Sequence, residues 1–158
     1  MVRTCSRLTT DAALKVVPAL LDRYEQGGAW LERRLDDVAA GRGRILGIPI
    51  ANRLAALAIE TPKGAACRKL STFGVAPDRR SLGLGAALIE ALRRSWIDQG
   101  VEHAYVTVDH MDLQTHRFFL KHGFVDAPEV RIRYGVDRFD CLMTWSPSSD
   151  PLIAAPLH

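Results

Sequence analysis

Val75-Ala76-Pro77-Asp78-Arg79-Arg80-Ser81-Leu82-Gly83-Leu84-Gly85-Ala86 joins an apolar, β-rich run to an amphipathic helix. Residues 70–77 read Leu-Ser-Thr-Phe-Gly-Val-Ala-Pro. Pro77 cannot continue a hydrogen-bonded ladder, so the strand is predicted to end near Ala76. Pro77-Asp78 signals a turn. Leu84, Leu88, Leu92 and Trp96 then recur at every fourth position, with Glu90, Arg93, Arg94 and Asp98 on the other side. That periodicity predicts a helix over residues 82–99. Gly100 stands where a left-handed C-cap is expected.

The helix therefore opens on glycines. A helix N-terminus carries unpaired N–H groups and a partial positive charge, which suits phosphate oxygens. Gly83 and Gly85 have no side chain to keep a ligand from the backbone. Arg79 and Arg80 can add charge-assisted contacts. Glycine in a helix costs roughly 1 kcal/mol relative to Ala, and ligand access would explain tolerating it. A lone Gly-x-Gly is more often a plain strand-turn-helix. No Gly-Lys-Ser/Thr follows, which excludes a Walker loop, and the third Gly of a dinucleotide fingerprint is missing.

The chain resembles the GCN5-related N-acetyltransferases (GNAT). Their Arg/Gln-x-x-Gly-x-Gly/Ala signature is matched by Arg80, Gly83 and Gly85, after a strand ending in Val75-Ala76-Pro77. A second signature, Tyr-x-Lys-x-Gly-Phe, is matched by Phe119-Leu120-Lys121-His122-Gly123-Phe124, with Phe119 in place of Tyr. The resemblance implies acetyl-coenzyme A as donor and no metal. It puts the pyrophosphate on Arg80, Leu82, Gly83, Leu84, Gly85 and Ala86, with Arg79 beside them. It puts the pantetheine arm along the backbone of Phe73, Gly74 and Val75, like an added strand, with Ser71 and Thr72 nearer the acceptor. Asp112 falls where relatives often carry an Asn on the cofactor arm, although helix capping is its first reading. Phe119 cannot donate a proton as Tyr would, but it could pack on the pantetheine.

At 158 residues the chain is long enough for a real core. It reads as one domain over residues 1–146 with a Pro- and Ser-rich tail over 147–158, expected to be a mobile terminus or a cover for a partner surface. A net charge of +3 suits an anionic cofactor and is too weak to demand nucleic acid. Cys5, Cys67 and Cys141 lack metal-ligand spacing and read as free thiols in a reducing compartment. His103, His116 and His122 likewise lack partners at metal spacing. The start lacks the apolar core of a signal peptide, and no apolar run approaches ~20 residues, so a cytoplasmic protein without a membrane span is expected.

The remaining elements follow the same cues. A first strand is predicted over residues 2–9. A helix over 11 to about 26 is ended by Gly27-Gly28, and a second covers 30–40. Strands are predicted at 44–50 and 53–60, with Pro49 marking an edge or bulge. Further strands are predicted at 66–76 and 101–109. Asp112 caps a helix that Gly123 ends, and strands at 128–134 and 138–145 form a hairpin around Gly135. The class is α/β (α+β): a GNAT-like mixed, mostly antiparallel sheet of six to seven strands with helices on both faces.

Acetyl transfer to an amine needs a neutral nucleophile, hence a base or water relay. It also needs a donor for the charge developing on the thioester oxygen, which a backbone N–H near Phe73 or Val75 can supply. His110 follows the 101–109 strand, and imidazole is the side chain suited to proton transfer near neutral pH, though His110 reads equally as a loop histidine. Asp109 alternates with Tyr105 and Thr107 on one strand face and could orient a water, or cap. Glu60 could be a base or hold a cationic acceptor, against a solvated strand end. Tyr105 could serve as acid, against a core role.

Two functions stay open. One is an acetyl-coenzyme A-dependent N-acyltransferase acting on a primary amine by direct attack in a ternary complex. Its acceptor would be a small molecule, a protein amine or an aminoacyl-tRNA. Arg42, Arg44, Arg68, Arg79, Arg80, Arg131 and Arg133 keep tRNA in play without requiring it. The alternative is a degenerate acyl-coenzyme A-binding module acting as sensor or scaffold. A homodimer through the sheet edge or the final hairpin is compatible with either.

Overall fold

The structure is a computed structural model that describes residues 2–4, 27–50, 53–80, 82–133 and 139–154. The elements are β1 (Arg3–Thr4), α1 (Gly27–Ala39), β2 (Arg44–Ile50), β3 (Arg53–Pro62), β4 (Cys67–Val75), a 3-10 turn (Pro77–Arg79), α2 (Leu84–Asp98), β5 (His103–Asp109), α3 (Leu113–Lys121), β6 (Phe124–Arg133), β7 (Phe139–Trp145), a second 3-10 turn (Pro147–Ser149) and α4 (Pro151–Ala154). The strands form a seven-stranded sheet in the order β1-β2-β3-β4-β5-β7-β6. β1/β2, β2/β3, β5/β7 and β6/β7 are antiparallel, whereas β4 and β5 are parallel. The sheet is therefore mixed, as expected. The predicted helix over 11–26, the rest of the first strand and the turn around Gly135 lie outside the described residues.

The chain divides into two compact units, Met1–Pro62 with Leu70–Arg93, and Lys63–Lys69 with Arg94–His158. β4 and α2 each have residues in both. In the first unit, Ile45, Leu46 and Ile48 of β2, residues 54–59 of β3, and Leu88, Ile89 and Leu92 of α2 are buried. β2 and β3 slip in register between Ile48 and Pro49, the bulge that a residue without an N–H predicts.

In the second unit the core is aromatic. Trp96 meets Trp145 at 5.1 Å and Phe124 at 6.2 Å between ring centres, and Phe119 meets Phe124 at 5.0 Å. α2 ends with Val101 N–H on Trp96 O and Gly100 N–H on Ile97 O, the paired bonds of a Schellman cap. β6 starts directly after Gly123, earlier than predicted, and its register with β7 shifts between Ala127 and Arg131. Pro128 lies in that interval and has no N–H for the ladder.

Three further expectations change. Gly27 and Gly28, expected to end a helix, open α1. β3 runs to Pro62, beyond the predicted end at residue 60. The segment expected as a mobile terminus is folded through Ala154: Asp150 is wholly buried and accepts the Trp145 indole N–H at 2.6 Å, while Ser149 Oγ donates to Gly123 O at 2.7 Å. The strap lies so close that a Cβ on Gly123, already at φ +92°, would stand 2.9 Å from Pro151 Cδ. No helix among the described residues is long and apolar enough to cross a membrane.

Candidate active site

In the first unit, β4 is tied at its end by Ala76 N–H on Ala55 O at 2.7 Å. The 3-10 turn follows, closed by Arg79 N–H on Ala76 O at 2.9 Å. Arg80 leaves it extended and exposed. Gly83 adopts φ +74°, a left-handed conformation, and a Cβ there would meet nothing within 4 Å. α2 begins at Leu84, two residues later than predicted, and Ala87 N–H reaches Gly83 O. The first-turn N–H groups of Leu84, Gly85 and Ala86 thus have no acceptor within the helix. Leu82 and Gly83 are exposed beside them. Among the described residues Arg79 approaches Asp78 at 3.9 Å, and Arg80 is exposed beside it, so both guanidiniums can turn to an anion. Open backbone donors at a helix start, with two guanidiniums alongside, fit a diphosphate.

Upstream on β4, Gly74 is buried while Phe73 and Val75 are half-buried. Ser71 Oγ and Thr61 Oγ1 share a buried hydrogen bond at 3.0 Å. Thr72 is 4% exposed and its Oγ1 has no partner among the described residues. Glu60 is not the solvated strand end expected for it: it is 3% exposed. Arg44 stands opposite Glu60 in the β2/β3 register and grips both carboxylate oxygens, Nε–Oε2 and Nη2–Oε1 each at 3.2 Å.

In the second unit, Ala104, Val106 and Val108 of β5 are buried, while Tyr105, Thr107 and Asp109 alternate onto the half-exposed face. Burial, and secondarily the neighbouring Cys67, push the Tyr105 phenol above its ordinary pKa, so it is protonated at neutral pH. Asp109 Oδ1 accepts the Met111 N–H at 2.9 Å. His110 Nδ1 lies 3.5 Å from that oxygen and 2.9 Å from Phe139 O, and the His110 ring stacks on Phe139 at 3.9 Å and 11°.

Two residues assigned to the cofactor arm are engaged elsewhere. Asp112 caps α3, accepting from Thr115 N at 3.1 Å and Thr115 Oγ1 at 2.7 Å. Phe119 is 1% exposed within the aromatic core and offers no surface to a ligand, because its helix turns that face inward. His116 pairs with Asp126 at 2.6 Å. Among the described residues no group of three His, Cys, Asp or Glu is placed to hold a metal, and Cys67 and Cys141 are free thiols.

The structure thus joins Asp109 and His110 at the carboxyl end of β5, and lines up Phe73, Gly74 and Val75 ahead of the glycine turn. Arg44 and Phe139 were not recognisable as partners of Glu60 and His110, because both contacts depend on strand register. Asp140, opposite Asp109 on β7, was missed for the same reason.

The sequence model of the acetyltransferase (GNAT) family matches residues 9–124. Among solved structures, a GNAT-family protein from Desulfovibrio desulfuricans superposes with a TM-score of 0.76 at 17% identity, over 92% of this chain and 98% of its own. The Bacillus subtilis acetyltransferase in complex with coenzyme A gives 0.73 at 12% identity, over 92% and 97%. The ribosomal-protein-alanine N-acetyltransferase from Brucella melitensis gives 0.69 at 15%, over 92% and 99%. At such identities the likeness is one of fold. No curated protein matches the chain.

Proposed function

The chain belongs to the acetyltransferase (GNAT) family, and from that premise we propose that it transfers acetyl from acetyl-coenzyme A to a primary amine, by direct attack in a ternary complex. The observation that carries this is the turn before α2, where left-handed Gly83 leaves open space at the head of a helix flanked by Arg79 and Arg80. The N–H groups of Gly83, Leu84, Gly85 and Ala86 would hold the pyrophosphate, with Leu82 alongside. Phe73, Gly74 and Val75 would pair with the pantetheine through their backbone. The Thr72 hydroxyl, without a partner among the described residues, is a buried polar group that a bound ligand would satisfy.

Acetyl-coenzyme A supplies an acetyl group activated as a thioester. Backbone N–H groups near Phe73 and Val75 would donate to the developing oxyanion. His110 is the base in this scheme, since Glu60 is gripped by Arg44. Asp109 lies beside His110 and orients the approach. Tyr105, protonated at neutral pH, is the candidate acid; the leaving thiolate resembles a cysteine of pKa about 8.5 and needs little help. The cytoplasm suits both the donor and the free thiols.

The acceptor is a small-molecule amine, a protein amine or an aminoacyl-tRNA. Calorimetric titration with acetyl-coenzyme A, followed by a thiol-release assay over an amine panel, tests the scheme. Micromolar binding with turnover supports it. Binding without turnover on any amine would favour the sensor or scaffold alternative, and no binding would refute both.

A further inference from the structure

Phe139 holds His110 in three ways. Its carbonyl oxygen lies 2.9 Å from His110 Nδ1 and 3.2 Å from the His110 backbone N–H, and its ring lies flat on the imidazole at 3.9 Å and 11°. A carbonyl oxygen only accepts, so Nδ1 must carry the hydrogen. In the neutral imidazole the lone pair then resides on Nε2. The free histidine side chain favours the opposite tautomer, so this choice is imposed by the fold. We infer that Phe139 is a positioning residue that sets His110 in the Nδ1–H tautomer and presents Nε2 as the proton acceptor. This deepens the proposed function and rests on His110 being the base.

The charged groups around the ring agree. Asp109 Oδ1, 3.5 Å from Nδ1, is also only an acceptor and adds to the preference for hydrogen there. Asp140 stands opposite Asp109 on β7, and the Asp112 carboxylate is turned to Thr115 at the start of α3. In the reaction, Nε2 takes one proton from the acceptor's ammonium. That step leaves a neutral amine and an imidazolium whose Nδ1–H stays on Phe139 O. With the tautomers reversed, the base nitrogen would be the one already turned to a carbonyl.

The test is nitrogen NMR of the full chain labelled with 15N-histidine, with His110 assigned by its loss in His110→Gln. With the imidazole neutral, Nδ1 is expected to show the protonated, pyrrole-type shift and Nε2 the pyridine-type shift. The reverse pattern overturns the inference and leaves His110 open as a base. Phe139→Leu keeps the carbonyl and removes the stack. Its kcat is expected to fall roughly tenfold, part of the ~100-fold or greater loss for His110→Ala, with KM for acetyl-coenzyme A unchanged. Unchanged kcat in Phe139→Leu overturns the positioning role. Full activity in His110→Ala would instead sink the base itself, while the tautomer measured on the unaltered chain would still stand or fall alone.

Discussion

Trp145 donates its indole N–H to Asp150 across 2.6 Å, and both residues are wholly buried. The bond joins the end of β7 to the strap that follows, and Trp145 in turn packs on Trp96. Asp150→Ala would leave the indole N–H buried without its acceptor. The expected cost is about 2 kcal/mol, which lowers Tm by roughly 4 to 8 °C for a chain of this size. Thermal unfolding followed by Trp fluorescence measures it, and an unchanged Tm would show the strap to be dispensable.

Gly83 has its left-handed conformation and open space together. Gly83→Ala therefore meets no clash and costs only the backbone strain, ~1 kcal/mol. Gly83→Glu adds a carboxylate where the pyrophosphate would sit. Calorimetry is expected to show acetyl-coenzyme A binding weakened slightly in the first variant and lost in the second, with both chains folded by circular dichroism.

Arg44 and Glu60 make a forked pair in which Glu60 is buried and Arg44 is 29% exposed. Arg44→Met would strand the carboxylate. Breaking a fully buried pair costs ~3–5 kcal/mol, and access of water to this one reduces the expectation to about 2 kcal/mol. Urea denaturation reads the change. Glu60→Gln is expected to keep kcat, and a large loss of kcat at full stability would move the base from His110 to Glu60.

Tyr105 keeps its proton to higher pH in the folded chain than in the unfolded one. Its contribution to stability is therefore complete below about pH 10, the ordinary tyrosine value, and is lost as pH rises through the folded pKa. Stability should decline over the alkaline range, and Tyr105→Phe should flatten that decline. Denaturation midpoints compared at about pH 9 and pH 11 decide it, and identical slopes in the two proteins would contradict it.

Local chemistry was legible wherever a single stretch of chain carried it. Pro77 ended β4, the four-residue spacing from Leu84 to Trp96 made α2, Asp112 capped α3, and Pro49 marked its bulge. The strap was not legible. Pro147, Ser148, Ser149 and Pro151 have the composition of a loose end, and the bonds that tie the strap to distant chain, Ser149 to the Gly123 carbonyl and the Trp145 indole to Asp150, depend on tertiary structure. Phe119 matched a signature position whose motif carries no information about which way its helix faces.

The sequence by itself determined the family, the strand-turn-helix that would hold a diphosphate, and the residue types available for acid–base work. These follow from backbone limits on Pro and Gly and from side-chain periodicity, which act over a few residues. Only the tertiary structure decided which of those side chains are free to react. Glu60 is taken by Arg44 because β2 and β3 pair in that register. His110 meets Phe139 because β7 runs beside β5, inserted before β6. Pairing across a sheet is set by the summed burial of whole strands, so it leaves no mark at the individual residues it brings together.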